Sequence, residues 1–145
     1  GSIALSAGEA AFSTAALAAG THSITVVYVA STDYATSTSA VLSQVVDKAS
    51  TKTTIASSLN PSTSGTTVTF TATVTAVAPG VGTPAGTVTF KNGTTTLGTG
   101  TLSAGKATFA TSTLAEGTDS ITAVYGGNLD FTTSTSGVVS QKVNP

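Results

Sequence analysis

The sequence predicts an all-β protein, an antiparallel β-sandwich, from three observations. Apolar and polar residues alternate with a period of two along several short segments, which is the pattern of half-buried strands. Turn-forming Gly, Pro and Asn separate these segments at intervals of about 8–12 residues, and no segment shows helical periodicity. In addition, a stretch near the start of the chain closely matches a stretch near its end.

The first predicted strands lie between residues 51 and 76. "TKTTIASS" forms the first strand around Ile55 and ends at Asn60-Pro61. In "TTVTFTATVTA", the apolar residues from Val68 to Ala76 face one way and the intervening threonines face the other. Such alternation predicts an antiparallel strand with β-branched Thr on its wet face. A loop rich in Pro and Gly follows.

Two hairpins are predicted next. In "GTVTFKNGTTTLGTG", Asn92-Gly93 forms a two-residue type I′ turn, because both residue types tolerate positive φ. In "TLSAGKATFA", the chain turns through Ser103–Gly105 and places Ala107 and Phe109 inward.

The final strands complete the predicted sandwich. "DSITAVY" puts Ile121, Ala123 and Tyr125 on one face, and a last strand around Ser136–Val143 carries Val139 and Val143. About seven short strands of this kind, without helices, predict two packed sheets.

The internal repeat defines the domain organisation. Residues Leu5–Asp47 align without a gap to Leu102–Asn144 at an offset of 97 residues, and 25 of the 43 positions are identical. The offset is close to the roughly 100 residues of an immunoglobulin-like (Ig-like) sandwich. Residues 49–145 are therefore expected to form a complete domain. Residues 1–48 correspond only to the second half of one.

The quoted segments also resemble a known family. "NPSTSGTTVTFTATVT", "GTVTFKNGTTTLGTGTLSAGKATFATSTLAEGTDSITAVYGGNLDF" and "STSGVVSQKV", in this order, resemble the bacterial Ig-like repeats of large surface and secreted proteins. The resemblance implies a seven-stranded sandwich that serves as an extracellular spacer, stalk or adhesive module. The family often has Tyr-x-Gly-Asp after the sixth strand, whereas this chain has Tyr125-Gly126-Gly127-Asn128.

Composition excludes several classes of function. Charged residues make up 8% of the chain, Arg is absent and the net charge is −1, so no basic footprint for nucleic acid exists. No apolar run approaches the roughly 18 residues of a membrane helix, and we expect no membrane insertion. Cys is absent, which excludes disulfides and thiolate zinc sites.

The titratable residues do not form a catalytic or metal-binding pattern. His22 is the only histidine, and Asp119 replaces it in the second copy; we interpret both as polar residues of a turn entering a strand. Asp33 and Asp130 are the one acidic position present in both copies. We interpret them as Asx-type caps, with a calcium ligand shared with Asn128 as the alternative. We therefore predict no enzyme activity, no cofactor and no metal.

Other polar residues admit both structural and functional interpretations. Lys142 and Asn60 could form an isopeptide cross-link, although Val45 replaces Lys142 in the first copy. Gln44 and Gln141 are expected near a sheet edge. Asn92-Gly93-Thr94 is a formal glycosylation sequon that a hairpin also explains. We interpret Tyr28 and Tyr125 as core aromatics whose hydroxyls reach a loop carbonyl.

Two functions remain open. The first is a structural module of an extracellular tandem array, with a linker at Asp47–Ser50 short enough for a semi-rigid rod. Its partners are adjacent Ig-like repeats or copies of the chain itself, arranged head to tail. The second is an adhesin that binds a surface glycan or protein through its loops, for which Tyr34 and Phe131 are the aromatic candidates.

The first 48 residues carry a specific expectation. They supply strands around Ala10–Ser13, Ser23–Tyr28 and Ala40–Val46, but nothing that corresponds to Ala49–Leu97. An apolar face and open strand edges would then be exposed. We expect that this half is not independent: it is either part of a longer polymer or completed by strands of another chain.

Overall fold

The computed structural model describes residues Gly1–Pro145, which form strands, turns and loops without a helix. The structure therefore contains no helix long and apolar enough to span a membrane. The chain divides into two compact units, Gly1–Asp47 and Lys48–Pro145. The first unit contains β1 (Gly20–Ile24), β2 (Val27–Tyr28), β3 (Ser37–Thr38) and β4 (Leu42–Val46). The second contains β5 (Thr51–Ser57), β6 (Ser62–Thr63), β7 (Val68–Ala76), β8 (Thr87–Asn92), β9 (Thr95–Thr101), β10 (Lys106–Thr111), β11 (Gly117–Tyr125), β12 (Ser134–Thr135) and β13 (Val139–Asn144).

The second unit is a sandwich of two sheets. One sheet has the strand order β10-β7-β5. The other has the order β6-β13-β11-β8-β9, with the short β12 paired to β11. All neighbours are antiparallel except β6 and β13, which run parallel. Seven strands have six or more residues, so the all-β Ig-like prediction is confirmed.

Alternation places the core where the sequence predicted it. Along β7, Val68 and Phe70 are buried and the intervening threonines are only partly buried. In β11, Ile121, Ala123 and Tyr125 are each fully buried, as expected. The Phe90 and Phe109 rings stack with centroids 5.7 Å apart, which links the two sheets. The remaining buried apolar residues are Ala72, Val74, Val88, Leu102, Ala107, Phe131 and Val143.

Hydroxyl groups close one side of this sandwich, between β5 and the β12–β13 edge. Thr51 Oγ1 donates to Ser134 Oγ at 2.7 Å, and Thr53 Oγ1 lies 2.7 Å from the same atom. Ser57 Oγ donates to Gln141 Oε1 at 2.6 Å. The threonine-rich strand β5 therefore contributes hydrogen bonds between the sheets as well as β propensity.

Glycine closes the opposite side, between β9 and β10. A Cβ atom on Gly98 would lie 2.3 Å from the Phe109 ring. That distance is far inside van der Waals contact, so any side chain at this position would displace the ring. The two edge strands approach because residue 98 has no side chain.

The first hairpin turn differs from the prediction by one residue. Asn92 pairs with Thr95, so the loop residues are Gly93 and Thr94 rather than Asn92 and Gly93. Gly93 has a φ of 56°, while Thr94 stays at negative φ. Glycine at the first loop position is typical of a type II′ turn. The β8–β9 ladder also has a bulge between Phe90 and Lys91.

The second predicted hairpin joins two sheets instead of forming a ladder. Ser103 and Lys106 do close a tight turn, in which Ala104 and Gly105 have φ values of 49° and 75°. Beyond that turn, however, β9 continues beside β8 and β10 pairs with β7. Ala107 is buried and Phe109 is half-buried against the core, as predicted.

The first unit consists of two small antiparallel pairs. β1 pairs with β4, and β2 pairs with β3. The strand predicted around Ala10–Ser13 is not formed, which corrects the sequence interpretation. Its counterpart in the second unit is β10, whose only ladder partner is β7. The first unit contains no strand equivalent to β7, and this explains the difference.

Candidate functional site: the uncovered strands of the first unit

The strand pairing of the first unit reproduces that of the second at an offset of 97 residues. Gly20 pairs with Val46, and 97 residues later Gly117 pairs with Val143. The register agrees along the whole of β1 and β4, and again between β2–β3 and the β11–β12 pair. The strands of the first unit therefore have the same local backbone arrangement as the corresponding strands of the second unit.

Turns and side-chain bonds recur at the same offset. Ala7 and Gly8 have φ values of 51° and 82°, matching the Ala104–Gly105 turn of the second unit. Ser39 Oγ accepts the Val26 N–H at 3.0 Å, as Ser136 Oγ accepts the Ala123 N–H at 2.9 Å. The loop conformations are thus set by local sequence.

Burial is where the two copies differ. Ile24 is 37% exposed, whereas Ile121 is fully buried. Val26 is 67% exposed, whereas Ala123 is fully buried. No residue of the first unit is fully buried. Other large apolar side chains exposed there are Phe12, Val27, Leu42 and Val45.

One edge of β1 has no partner strand. In the second unit, β11 lies between β13 on one side and β8 on the other. In the first unit, β1 pairs with β4 alone. Backbone donors and acceptors along an unpaired edge can accept a further strand. The exposed apolar residues and this open edge together form the uncovered surface of the first unit.

His22 and Asp119 do not lie in turns, and the interpretation of both as wet turn residues is wrong. His22 lies within β1, and its Nε2 is 2.8 Å from the Ala18 carbonyl oxygen. Asp119 lies within β11 and is only 8% exposed. Its Oδ1 accepts a hydrogen bond from Asn92 Nδ2 at 2.6 Å, and its buried Oδ2 has no partner. Both positions face a residue of the last strand, Gln44 or Gln141.

The loop that contains Asp130 is capped by a different residue. Asn128 Oδ1 accepts the N–H groups of Asp130 and Phe131, each at 2.9 Å. The Asx-type cap predicted at Asp130 is therefore made by Asn128, because its amide lies first in the turn. Ser31 occupies the equivalent place in the first unit, where its N–H bonds to the Tyr34 carbonyl. No group of three or more His, Cys, Asp or Glu residues lies close enough to hold a metal ion.

Gln141 is part of the core rather than an edge residue. It is fully buried on the strand β13, between β11 and β6. Its Nε2 donates to the Leu59 carbonyl at 2.9 Å, and its Oε1 accepts from Ser57 Oγ. The signal was available in the sequence, because Gln141 alternates in phase with Val139 and Val143. Its counterpart Gln44 is exposed and bonds only to the neighbouring Val45 carbonyl.

Asn60 uses its amide in place of a backbone group. Its Nδ2 donates to the Ser140 carbonyl at 2.8 Å, and its Oδ1 accepts the Lys142 N–H at 2.9 Å. The amide thus pairs with the main chain of β13. The geometry provides a hydrogen-bonded role for Asn60 next to Lys142 without a cross-link.

Asn92 and Tyr125 also have partners within the fold. Asn92 donates to Asp119, and its Oδ1 accepts the Ser120 N–H at 3.0 Å, so the amide of the sequon is engaged on both sides. The Tyr125 hydroxyl donates to the Ala85 carbonyl at 2.8 Å, as predicted. Burial raises the pKa of this hydroxyl above its ordinary value of 10.0.

The model of a family, the bacterial Ig-like domain (group 3), matches residues 54–144. The chain belongs to this family. The sequence-based recognition is therefore confirmed. No curated protein matches the chain.

A solved structure supports the same Ig-like fold. The fibronectin(III)-like modules of Clostridium thermocellum CbhA are similar to this chain, with 25% sequence identity and a TM-score of 0.50. The match covers 64% of this chain and 96% of that one. Ig-like and fibronectin III-like domains are generally non-catalytic, and they are commonly found in extracellular proteins.

The remaining surface of the Ig-like unit offers little chemistry. An open groove between β7 and the loop after it contains no titratable side chain; its lining includes Thr73, Thr75, Gly82, Thr83 and Ala104. Phe131 is buried in the core cluster of the second unit. Tyr34, its counterpart in the first unit, is 70% exposed.

Proposed function

We propose that the chain is a non-catalytic structural module of an extracellular array of Ig-like repeats, acting as a stalk, spacer or filament building block. The observation that supports this role most directly is how the second unit uses its polar side chains. Asn60, Asn92, Asn128 and Gln141 all bond within the fold. The amide groups of these side chains therefore form hydrogen bonds that hold the fold together.

The last strand of the second unit, β13, is joined to β6, the short strand that follows β5, in a way that suits a load-bearing link. β6 and β13 run parallel, and the Ser64 N–H donates to the Asn144 carbonyl at 2.8 Å. The Asn60 amide adds two bonds to β13 upstream of that pair. Tension applied at the two ends of the unit would load these bonds together in shear. We call this set of bonds the Asn60 clasp.

The segment that enters the second unit is also fixed to it. Lys48 Nζ donates to the Asn128 carbonyl at 2.7 Å, and the Ala49 N–H donates to the Asp130 carbonyl at 2.8 Å. An anchored entry segment leaves few free residues for a hinge, which supports a semi-rigid array.

Small-angle scattering on polyproteins with two, four and six complete repeats tests the array directly. We expect the maximum dimension to grow nearly in proportion to the number of repeats. A compact particle whose size grows much more slowly would contradict the proposal. Single-molecule pulling on the same polyproteins provides the second measurement: Asn60→Ala should lower the unfolding force, and the exposed Thr99→Ala should not.

An adhesive module is the alternative function. Its aromatic candidates were Tyr34 and Phe131, and only Tyr34 is exposed. Binding on a glycan array that is lost in Tyr34→Ala would favour this alternative over a purely structural role.

A further inference from the structure

The segment that enters the second unit, residues 48–50, precedes β5 and is held between two loops. We call this segment the entry strap. We propose that the strap docks and releases as one piece: when docked it makes the joint ahead of the second unit stiff, and when released it becomes a hinge. The inference rests on the proposed array function and adds to it the device that sets the stiffness of the joint.

The two sides of the strap bond to different parts of the fold. The Ala49 N–H donates to the Asp130 carbonyl at 2.8 Å, and the Ala49 carbonyl accepts the Thr132 N–H at 2.9 Å. The Ser50 carbonyl accepts the Val77 N–H at 2.8 Å. Successive residues of an extended segment point their backbone groups to opposite sides. The strap therefore lies between the loop after β11 and the turn after β7, with hydrogen bonds to both.

Glycine at position 80 allows the strap to dock. The Gly80 N–H donates to the Val77 carbonyl at 2.9 Å and closes a tight turn beside the strap. A Cβ atom on Gly80 would lie 2.7 Å from the Ala49 Cβ and 2.9 Å from the Val77 carbonyl oxygen. Its φ lies outside the left-handed region, so the backbone itself accepts alanine. A side chain at position 80 therefore acts by contact, and it pushes the strap away from the turn.

The strap contributes little to the core of the second unit. Lys48 and Ser50 are exposed, and Ala49 is only partly buried against the core. The Lys48 side chain bonds through its tip, with Nζ 2.7 Å from the Asn128 carbonyl oxygen. The hydroxyl bonds that join the two sheets begin one residue later, at Thr51. Release of the strap therefore breaks a few peripheral hydrogen bonds and leaves the core in place.

Docking determines how much freedom the chain has ahead of the second unit. With the strap docked, Lys48 is fixed, and only Asp47 separates it from Val46 at the end of β4. With the strap released, residues 47–50 are free and span up to about 14 Å when extended. The joint then changes from a short connection to a flexible tether.

Relaxation of ¹⁵N nuclei in the full chain tests whether the strap is docked. In the wild type, we expect order parameters of about 0.85 at Ala49 and Ser50, as in a rigid strand. Gly80→Ala should lower both below about 0.6. It should also speed amide exchange at Ala49 by about tenfold or more, while the amides of β11 keep their protection. Unchanged order at both residues in Gly80→Ala would overturn the proposal.

Two further variants separate strap release from general damage to the unit. Gly137→Ala is the matched control, because nothing lies within 4 Å of an added Cβ there, and it should leave the strap docked. Gly80→Ala combined with Ala49→Gly removes the methyl group nearest the new side chain. This double variant should recover slow exchange of the Thr132 amide, which bonds to the strap. Loss of β11 protection in Gly80→Ala without such recovery would assign Gly80 to core packing and overturn the proposal.

Distances between spin labels measure the joint itself. The chain has no cysteine, so Ser43→Cys in the first unit and Thr99→Cys in the second introduce two exposed attachment sites. We expect Gly80→Ala to widen the distribution of label distances by about twofold, because a flexible linker replaces a fixed one. The double variant should narrow it again. Equal widths in the wild type and in Gly80→Ala would overturn the role of the strap in stiffness.

The scattering experiment on polyproteins can fail independently of these measurements. A compact array in which the strap is docked contradicts only the array function. A rod-like array in which the wild-type strap has low order parameters contradicts only the strap.

Discussion

The two units of this chain have the same strand pairing but differ in burial. β1 and β4 reproduce the register of β11 and β13 residue for residue, and the serine that bonds Val26 has its equivalent beside Ala123. Yet Ile121 is fully buried while Ile24 is exposed. Local sequence is therefore sufficient to specify the turns and ladders, whereas the core also requires β5, β7 and β8. The comparison shows that strand pairing and core packing depend on different parts of the sequence.

The largest difference is expected at the isoleucine pair. Ile121→Ala should reduce the free energy of unfolding of the second unit by about 2–5 kcal/mol, because it removes three buried carbons and leaves a cavity. Ile24→Ala, its counterpart, should change that free energy by less than about 0.5 kcal/mol. Urea unfolding followed by circular dichroism measures both. Similar losses would contradict the exposed position of Ile24.

The glutamine pair should show the next largest effect. Gln141→Ala removes the buried amide that bonds the Leu59 carbonyl and the Ser57 hydroxyl, which keep only their 3.2 Å bond to each other. Such a loss costs about 1–3 kcal/mol, and the cavity adds to it. Gln44→Ala should be nearly neutral, because that side chain is exposed. The same urea titration measures both variants. If Gln141→Ala is as stable as the wild type, the buried amide is not important for stability.

The glycine pair tests the side of the sandwich between β9 and β10. Gly98→Ala would place a carbon against the Phe109 ring and should cost about 1–3 kcal/mol as overpacking. Gly1 lies 97 residues earlier, and an added Cβ there would be 3.5 Å from the Phe12 ring, an ordinary contact. Gly1→Ala should therefore have no measurable effect. A double variant, Gly98→Ala with Phe109→Ala, should relieve the overpacking component.

The smallest expected effect depends on pH and involves the tyrosine pair. Tyr125→Phe loses one hydrogen bond and should cost about 0.5–1.5 kcal/mol at neutral pH. Burial raises the folded-state pKa of Tyr125, so the folded state favours the neutral hydroxyl. The resulting stability is present below about pH 10 and is lost as pH rises through the folded-state pKa.

Alkaline urea titrations measure this difference. Between pH 9 and pH 11, the wild-type chain should lose stability relative to Tyr125→Phe, so the gap between the two narrows. Tyr28→Phe is the control and should follow the wild type. A gap that does not depend on pH would show that Tyr125 ionisation is not coupled to unfolding.

Much of this fold could be predicted because strand periodicity reports burial directly. The alternation in β7 and β11 gave the inward residues correctly, and the repeat matched strands that pair in the same register in both units. The same alternation places Gln141 inward between two valines. Because glutamine is polar, we expected Gln141 near a sheet edge, and its buried position was not predicted.

Other features depend on contacts that a sequence pattern does not encode. The strand around Ala10–Ser13 has the right residues but lacks a β7 equivalent to pair with. The close approach of β9 and β10, which lie in different sheets, depends on Gly98, and this is clear only once Phe109 is seen to pack against it. Asp119 is buried in β11, where its carboxylate accepts a hydrogen bond from Asn92, which lies 27 residues earlier in the chain.

The Asn60 clasp has a consequence for chemical ageing. An asparagine side chain deamidates mainly when the next backbone nitrogen attacks it to form a succinimide. Residue 61 is proline, whose nitrogen carries no hydrogen, so this route is closed at Asn60, whose amide bonds to the last strand, β13. At Asn92 the following residue is glycine, but its N–H is held by the Ser120 carbonyl. The amides of Asn60 and Asn92 are thus shielded from the commonest slow reaction of asparagine.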